Sequence, residues 1–339
     1  MKTTFGRLIA ALGILALSLG AAAAQSKQQV KIAVGGAGCL CYLPTVLAKQ
    51  LGEYDKAGVE VELINFKGGS QALQAVIGGS ADVVSGYYDH CVNLAAKGQA
   101  LQAFVVYDRY PGMVLAVSPE AKDIKSIKDL AGKAVGVSAP GSSTDFFLKY
   151  LLAKNGMDPA GTSVVGIGLA ATAVAAMEHG KVNAAVMLDP AATLMQNKFK
   201  ENFRLLSDTR TAKDTLDVFG GEYPGGALYT RADWIAKNEA TVQKLTTAIL
   251  GTLKWIHSHS AEEIMAKMPD ELVGPDKQLY LAALKNTLPM YSLNGKMDPK
   301  GAEAVLAVFK QSSEAHRNGH IDLSKTYTNK YVEAAGKGM

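Results

Sequence analysis

The stretch GVSAPGSSTDFF, Gly136 to Phe147, gathers glycines and hydroxyls between a short apolar run and a helical pattern. Backbone N–H groups at such a junction suit a nucleotide phosphate, the oxyanion of a nucleophilic reaction or a free small anion. The lysine of a nucleotide-binding loop is missing, and G-x-x-x-x-G-K-[ST] occurs nowhere else in the chain, so ATP hydrolysis is disfavoured. No G-x-S-x-G elbow activates Ser142 or Ser143 as a nucleophile. These two serines read as caps of the helix opening at Thr144, as ligand contacts, or as both, because a capping loop is also an anion site.

A second cluster is SGYYDHC, Ser85 to Cys91, which follows an apolar run. Tyr87, Tyr88, Asp89 and His90 are expected to meet Tyr42 from the first loop and YDRYP, Tyr107 to Pro111, from a later one. Aromatic faces with few polar tips suit a small organic ligand. Arg109 is either the bidentate partner of a carboxylate or sulfonate or a solvated charge. The six histidines are scattered and the cysteines lack zinc spacing, so no metal site and no cofactor is expected. Cys39 with His90 reads as a nucleophile and base or, more simply, as two loop residues at one rim. Cys39 and Cys41 make a poor closed ring, so a bridge, if one forms, is expected to join Cys91 to Cys39 or Cys41; the alternative is three thiols.

Two copies of one unit position these loops. The first runs Val30 to Val34 (strand), Thr45 to Tyr54 (helix), Val59 to Asn65 (strand), Gln71 to Ile77 (helix) and Ala81 to Ser85 (strand). The second runs Lys133 to Val137, Thr144 to Lys154, Ser163 to Ile167, a helix through Glu178, and Ala184 to Leu188, in the same order. Asp82 and Asn183 align at the turn into the last strand of each. Alternating strands and helices imply parallel sheets covered on both faces, with ligands at the carboxyl ends of the strands. All the Gly-rich loops fall there. Beyond Arg231 the spacing is helical and should buttress two lobes. The chain is expected to leave the first lobe near Leu115 to Ser118 and to return near Ala227 to Thr230.

The N-terminus reads as a secretory signal: Lys2 and Arg7, an apolar run from Leu8 to Leu19, then Ala22 to Ala24. Residues 1–24 are assigned to it, with the mature chain beginning near Gln25 and a Gram-negative periplasm as its place. No cysteine stands at the cleavage point to carry a lipid anchor. Loss of two basic residues lowers the formal net charge from +4 to +2, and dispersed charges argue against a nucleic-acid partner.

The order VKIAVGG, YLPTVLAKQLGEYDKAGVEVELINFKGGSQALQAVIGGSADVV, DLAGKAVGVSAPGSSTDFFLKYLLAKNGMD and GKVNAAVMLDP resembles the periplasmic solute-binding proteins of ABC importers. The likeness is to the branch serving nitrate, sulfonates, taurine and thiamine-precursor pyrimidines. It implies an α/β, two-lobed periplasmic-binding-protein fold of class II type, with two parallel-rich sheets flanked by helices and a cleft between the lobes. Residues 25–115 would form the first part of lobe 1, 116–226 lobe 2, and 227–339 the return to lobe 1 and the C-terminal helices. Ligand contacts carried over by position are the Cys39 to Tyr42 loop, Gly69, Gly86 to Asp89 (Gly86, Tyr87, Tyr88 and Asp89), Ser138 to Ser143 (including Gly141) and Asp189. The resemblance implies a monomeric carrier, not an enzyme, that delivers a small organic anion to a membrane permease and its ATPase. A thiamine-precursor pyrimidine binder, an enzyme related to pyrimidine synthases, and a module feeding a sensor are the alternatives.

Overall fold

The computed structural model describes residues 28–336. The export signal assigned to residues 1–24 and the mature start near Gln25 lie outside the described residues. No described helix is long and apolar enough to cross a membrane.

The first unit runs β1 (Gln28–Val34), α1 (Leu43–Gln50), α2 (Glu53–Lys56), β2 (Val59–Asn65), α3 (Gly69–Ile77), β3 (Val83–Tyr87), α4 (Asp89–Ala95) and β4 (Leu101–Val106). The chain then crosses into β5 (Val114–Val117), β6 (Ala134–Val137), α5 (Ser143–Lys154), β7 (Ser163–Gly166), α6 (Ala171–Glu178), β8 (Ala184–Met187), α7 (Ala191–Phe199), β9 (Arg204–Asp208) and α8 (Ala212–Phe219). It returns through β10 (Gly226–Arg231) to α9 (Ala232–Lys237), α10 (Glu239–Ser258), α11 (Ala261–Met265), α12 (Asp270–Val273), α13 (Lys277–Thr287), α14 (Pro299–Ser312), α15 (Glu314–Asn318) and α16 (Lys330–Gly336).

Two five-stranded sheets result, ordered β2-β1-β3-β10-β4 and β7-β6-β8-β5-β9. In each, three strands are parallel and the fourth is antiparallel to both neighbours. That antiparallel strand is β10 in the first sheet and β5 in the second, so each sheet takes it from just beyond a crossing. The sheets are therefore mixed, with a parallel core.

The repeat holds at the level of single bonds. Asp82 accepts from the Lys31 N–H at 2.8 Å and Asn183 from the Ala134 N–H at 3.1 Å, each one residue before parallel pairing begins at Ile32↔Val83 and Val135↔Ala184. A short polar side chain thus fixes the register at the same point of both sheets. This anchor also explains why β3 starts two residues beyond the Ala81 expected. The helix expected over Thr45 to Tyr54 is broken into α1 and α2, because Gly52 turns left-handed at φ +68°.

The passage to the second sheet lies between Val106 and Val114, earlier than Leu115 to Ser118, because Val114 already pairs with Met187 and Asp208. Sequence hydrophobicity marks β5 as a strand without saying which sheet it joins. The two crossings run side by side: Gly112 N–H donates to Thr209 O, Thr209 N–H to Met113 O and Gly225 N–H to Asp108 O. The return strand β10 lies where the sequence placed the return.

α10 packs against α1, α2 and α16, while α14 reaches from α4 to α5 and α13 touches α7, so the C-terminal helices brace both lobes. The main apolar core spans both sheets and centres on side chains such as Ile32, Leu47, Phe104 and Tyr229, all fully buried. Phe104→Ala should lower the unfolding free energy by about 3–5 kcal/mol, since neighbours in a close-packed sheet cannot collapse into the void. Equilibrium denaturation with urea measures it.

Candidate functional site

Three loops from each lobe meet at the carboxyl ends of the strands. The sequence forces the first approach by omitting side chains. A Cβ on Gly68 would stand 2.9 Å from the Ala139 Cβ and 3.1 Å from the Ser142 Oγ, so only glycine lets the two loops touch. Gly68 is the N-cap residue of α3 and has no oxygen with which to cap it. Ser142, the N-cap residue of α5, makes no cap bond in its own helix. Its Oγ instead accepts from the Ser70 N–H at 2.9 Å and donates to the Ser70 Oγ at 3.1 Å. The serine caps the helix of the opposite lobe.

Two more bonds close the seam. Ser143 Oγ donates to Asp89 Oδ1 at 2.7 Å, and Leu40 N–H donates to the Asp189 carbonyl at 2.9 Å. Asp89 Oδ2 accepts from the Tyr223 hydroxyl at 3.0 Å, which ties the seam to the returning crossing. Behind it, the Thr144 hydroxyl accepts from the Ser138 N–H and bonds the Ser138 hydroxyl.

Beside these bonds lies a small, partly open cavity of about 10 Å³ between the lobes, room for one water-sized body. Of the residues the sequence singled out as ligand contacts, Tyr42, Gly69, Tyr87, Ser138, Ser142 and Ser143 line it. Cys41, Met113, Thr144, Leu169 and Leu188 complete the wall. The rings of Tyr42 and Tyr87 meet edge to face at 6.1 Å, and the Tyr87 hydroxyl is anchored on Pro111 O at 2.6 Å. α5 opens at Ser143, where the Asp145 and Phe146 N–H groups donate to the Ser142 carbonyl and the buried Asp145 carboxylate stands in the first turn, so the positive end that the helix brings to the cavity is partly offset.

Other expected residues stand elsewhere. Arg109 is exposed and lines a separate groove with Glu222, Lys296 and Asp298, so it does not reach the cavity; the turn after Tyr107 directs it outward. The Tyr88 hydroxyl bonds Thr326 near the C-terminus. Gly86 packs under Tyr229, whose hydroxyl lies 2.8 Å from where a Cβ would be. Gly141 gives its N–H to Asp145 and lines a different groove. The Asp189 carboxylate accepts from the N–H and hydroxyl of Thr193 at the start of α7. Asp89 acts through Ser143 from behind the wall.

The cysteine pairing differs from expectation. Cys39 bonds Cys41 with their Cα atoms 5.2 Å apart, and Cys91 is a buried free thiol. The extended Cys39 followed by a single helical turn, Leu40–Tyr42, brings the two sulfurs together. Cys91 lies on α4 against the backbone of Ala103 in β4, away from that loop. Cys39 is thereby consumed, and His90 faces Gly69, Phe146 and Tyr229 instead of a thiol.

Burial dominates the electrostatics. It pushes Asp89 up to about 7, against the lowering pull of its hydrogen bonds from Ser143 and Tyr223. It pushes His90, whose two ring nitrogens are buried without partners, down to about 4. Asp108, held by the Gly226 N–H at the crossing, is raised by burial as well. Among the described residues, no lysine or arginine lines the cavity.

Set beside known proteins, the chain matches a family profile described as NMT1/THI5 like over residues 42–263. It is 36% identical to a solved protein of Bordetella bronchiseptica RB50, covering 92% of this chain and 98% of that one with a TM-score of 0.88. The alkanesulfonate-binding protein SsuA of Xanthomonas axonopodis pv. citri, solved with MOPS, is 18% identical over 88% of this chain and 98% of its own, with a TM-score of 0.67, and shares the fold. The nitrate/nitrite binding protein NrtA of Nostoc sp. is 24% identical over 251 residues, 66% of this chain and 53% of that protein.

Two outcomes follow from this geometry. Unfolded protein prepared without reductant should take up one thiol label, at Cys91, and reduction should raise the uptake to three; mass spectrometry reads both. The second concerns acid. Asp89, raised from 3.8, favours folding below its unfolded value, and that contribution is lost as pH rises through about 7. His90, depressed from 6.5, favours folding above its unfolded value, and that contribution is lost as pH falls to about 4. The two slopes oppose one another across the shared window. Asp89→Asn should therefore make the protein gain stability from about pH 4.5 to about pH 6.5, and His90→Gln should make it lose stability, each on the order of 2 kcal/mol relative to the parent. Urea midpoints at the two pH values give the tilt.

Proposed function

Because the chain belongs to the NMT1/THI5-like family, we propose that it is the extracytoplasmic solute-binding component of an ABC importer. In this reading it works as a monomer in the periplasm, closes over a small organic anion of the sulfonate or aromatic carboxylate class, and passes it to a permease with its ATPase. The observation that carries the reading is the small cavity at the seam, which as the lobes stand has room for one water and must widen about the crossings to take a solute. It lies between two halves joined by two crossings, and its polar wall is the N-terminal turn of a 12-residue helix with four hydroxyl side chains, Ser138, Ser142, Ser143 and Thr144. The names of the relatives, nitrate and alkanesulfonate binders among them, support the same class.

Without a basic side chain, the anion is held by amide dipoles and hydroxyls. Such groups stabilise negative charge in a dry site without the desolvation cost of a buried ammonium or guanidinium. They also make the neighbour Asp89 matter. An anion at Ser143 disfavours a charged carboxylate one hydrogen bond away, so ligand and proton should bind together. Closure brings the seam bonds and the ligand contacts into one event, and opening about the two crossings releases both.

Titration calorimetry with methanesulfonate, benzoate, nitrate and a 4-aminopyrimidine tests the reading. Saturable binding of an organic anion below millimolar concentration is expected, weakened about tenfold by Ser143→Ala, the scale of one hydrogen bond to a charged group. Affinity should fall as pH rises from about 6 to about 8, and Asp89→Asn should remove that dependence. Binding of the pyrimidine alone would overturn the anion class. A bound compound recovered chemically changed would overturn the carrier in favour of an enzyme.

A further inference from the structure

The bridge between Cys39 and Cys41 is built into the seam. Its ring closes over one residue, Leu40, and so fixes the backbone that Leu40 offers to its neighbours. On one side the Leu40 N–H donates to the Asp189 carbonyl of the second lobe at 2.9 Å; on the other its carbonyl accepts from the Tyr291 hydroxyl at 2.8 Å. The Cys39 carbonyl accepts from the N–H of Tyr42, which lines the small cavity. One cross-link thus holds a lobe-to-lobe bond and part of the cavity wall in place together.

Cys41 also stands between two spaces. It lines the small cavity at the seam and a second one of the same volume, about 10 Å³, which it shares with Leu188, Asp189 and Arg210 of the second lobe. Cys39 and Cys41 are buried, with 3% and 2% of their surface exposed, and neither space admits a thiol reagent while the lobes are together. Moving the second lobe away uncovers Cys41.

We propose that Cys39 and Cys41 form a redox-active pair, reached by dithiols when the lobes part, whose reduction weakens closure over the solute. A thiolate of the dithiol attacks the Cys41 sulfur, the bridge breaks, and Cys39 leaves as a thiolate that takes a proton. The second sulfur of the dithiol then displaces Cys41, which is protonated in turn, and closes the dithiol's own disulfide. Two thiols replace one bridge, and the two electrons come from the dithiol. Leu40 is then free to leave the conformation that reaches Asp189, so each closure must order it again, at a cost of about tenfold in affinity. The coupling is reciprocal: a solute held tenfold more tightly by the bridged form makes the bridge tenfold harder to reduce, about 30 mV for a two-electron couple. The proposal rests on the importer reading for closure over a solute and adds to it control by redox state.

The test uses the mature chain carrying Cys91→Ala, so that dithiothreitol acts on one bridge, with circular dichroism following the fold of the reduced form. Alkylation and mass spectrometry give the rate of reduction, and calorimetry with methanesulfonate and benzoate gives the affinity of each redox form. Dithiothreitol should open the bridge without unfolding the chain. Ser142→Ala, which removes a seam bond and leaves the Cys39–Cys41 loop untouched, should speed that reaction about fivefold, the scale of one helix cap. Reduction should weaken binding about tenfold, and Cys39→Ser with Cys41→Ser should bind like the reduced form. A bridge that opens only where urea unfolds the chain overturns the proposal and leaves the importer reading standing, and so does a rate that Ser142→Ala leaves unchanged. A reduced form that binds both probes as the bridged one does, or that loses its circular dichroism, overturns it as well, because the bridge then staples the fold alone. If neither probe binds either form while the rate still depends on Ser142, the redox-active pair stands and the control of affinity falls with the importer reading.

Discussion

One hydrogen bond sets the distance between the two lobes. The amide of Ser70 in α3 needs an acceptor, its own helix begins at a glycine that has none, and the hydroxyl of Ser142 from the facing lobe supplies it. An N-cap is worth about 1 kcal/mol in a single helix; here the same gain is available only when the lobes are together. Gly68 is the complementary requirement, since any side chain there would hold Ala139 and Ser142 away. The seam bonds of Ser143 to Asp89 and of Leu40 to Asp189 follow from that approach, and so does the small cavity between the lobes.

Closeness has an electrostatic cost that the fold spreads over several groups. Asp89 and Asp108 lie buried near the seam, and burial raises both carboxyls toward the neutral form. His90 is driven to the neutral form from the other side. A site made of amides, hydroxyls, phenol rings and near-neutral acids can hold negative charge without a formal positive charge, provided water is kept out. The tyrosines exclude water on one side, and Leu169 and Leu188 on another. The crossings are tied to one another by main-chain bonds at Gly112, Thr209 and Gly225.

Much of this was legible because it is local. The duplicated unit follows from periodicity, β2 matches its predicted span, and the paired roles of Asp82 and Asn183 could be read from their common position before a strand. Ser138, Ser142 and Ser143 stand at the interlobe cavity because a strand-to-helix junction at the carboxyl end of a parallel sheet faces the crevice, which the order of elements already implies. What escaped was direction and partnership. A loop arginine has two faces open to it, and Arg109 took the solvent side. Cys39 and Cys41 were discounted because ring closure over one residue depends on the turn at Leu40, which composition does not reveal. Met113, Leu169, Leu188 and Tyr223 carry no polar signal or stand in unremarkable surroundings, and reach the site only through the crossings and the second lobe's loops. The family resemblance supplied the two-lobed arrangement that periodicity alone left open.

The most direct measurement is a covalent staple across the seam. Ser70→Cys with Ser142→Cys places two thiols where oxygens now lie 3.1 Å apart. The account predicts that the pair oxidises readily when a ligand is present, that release of the ligand then slows by orders of magnitude, and that mild reduction restores it, with the parent protein treated alike as reference. A pair that stays reduced, or a staple that forms and leaves the release rate unchanged, would contradict the claim that the solute is held between closing lobes.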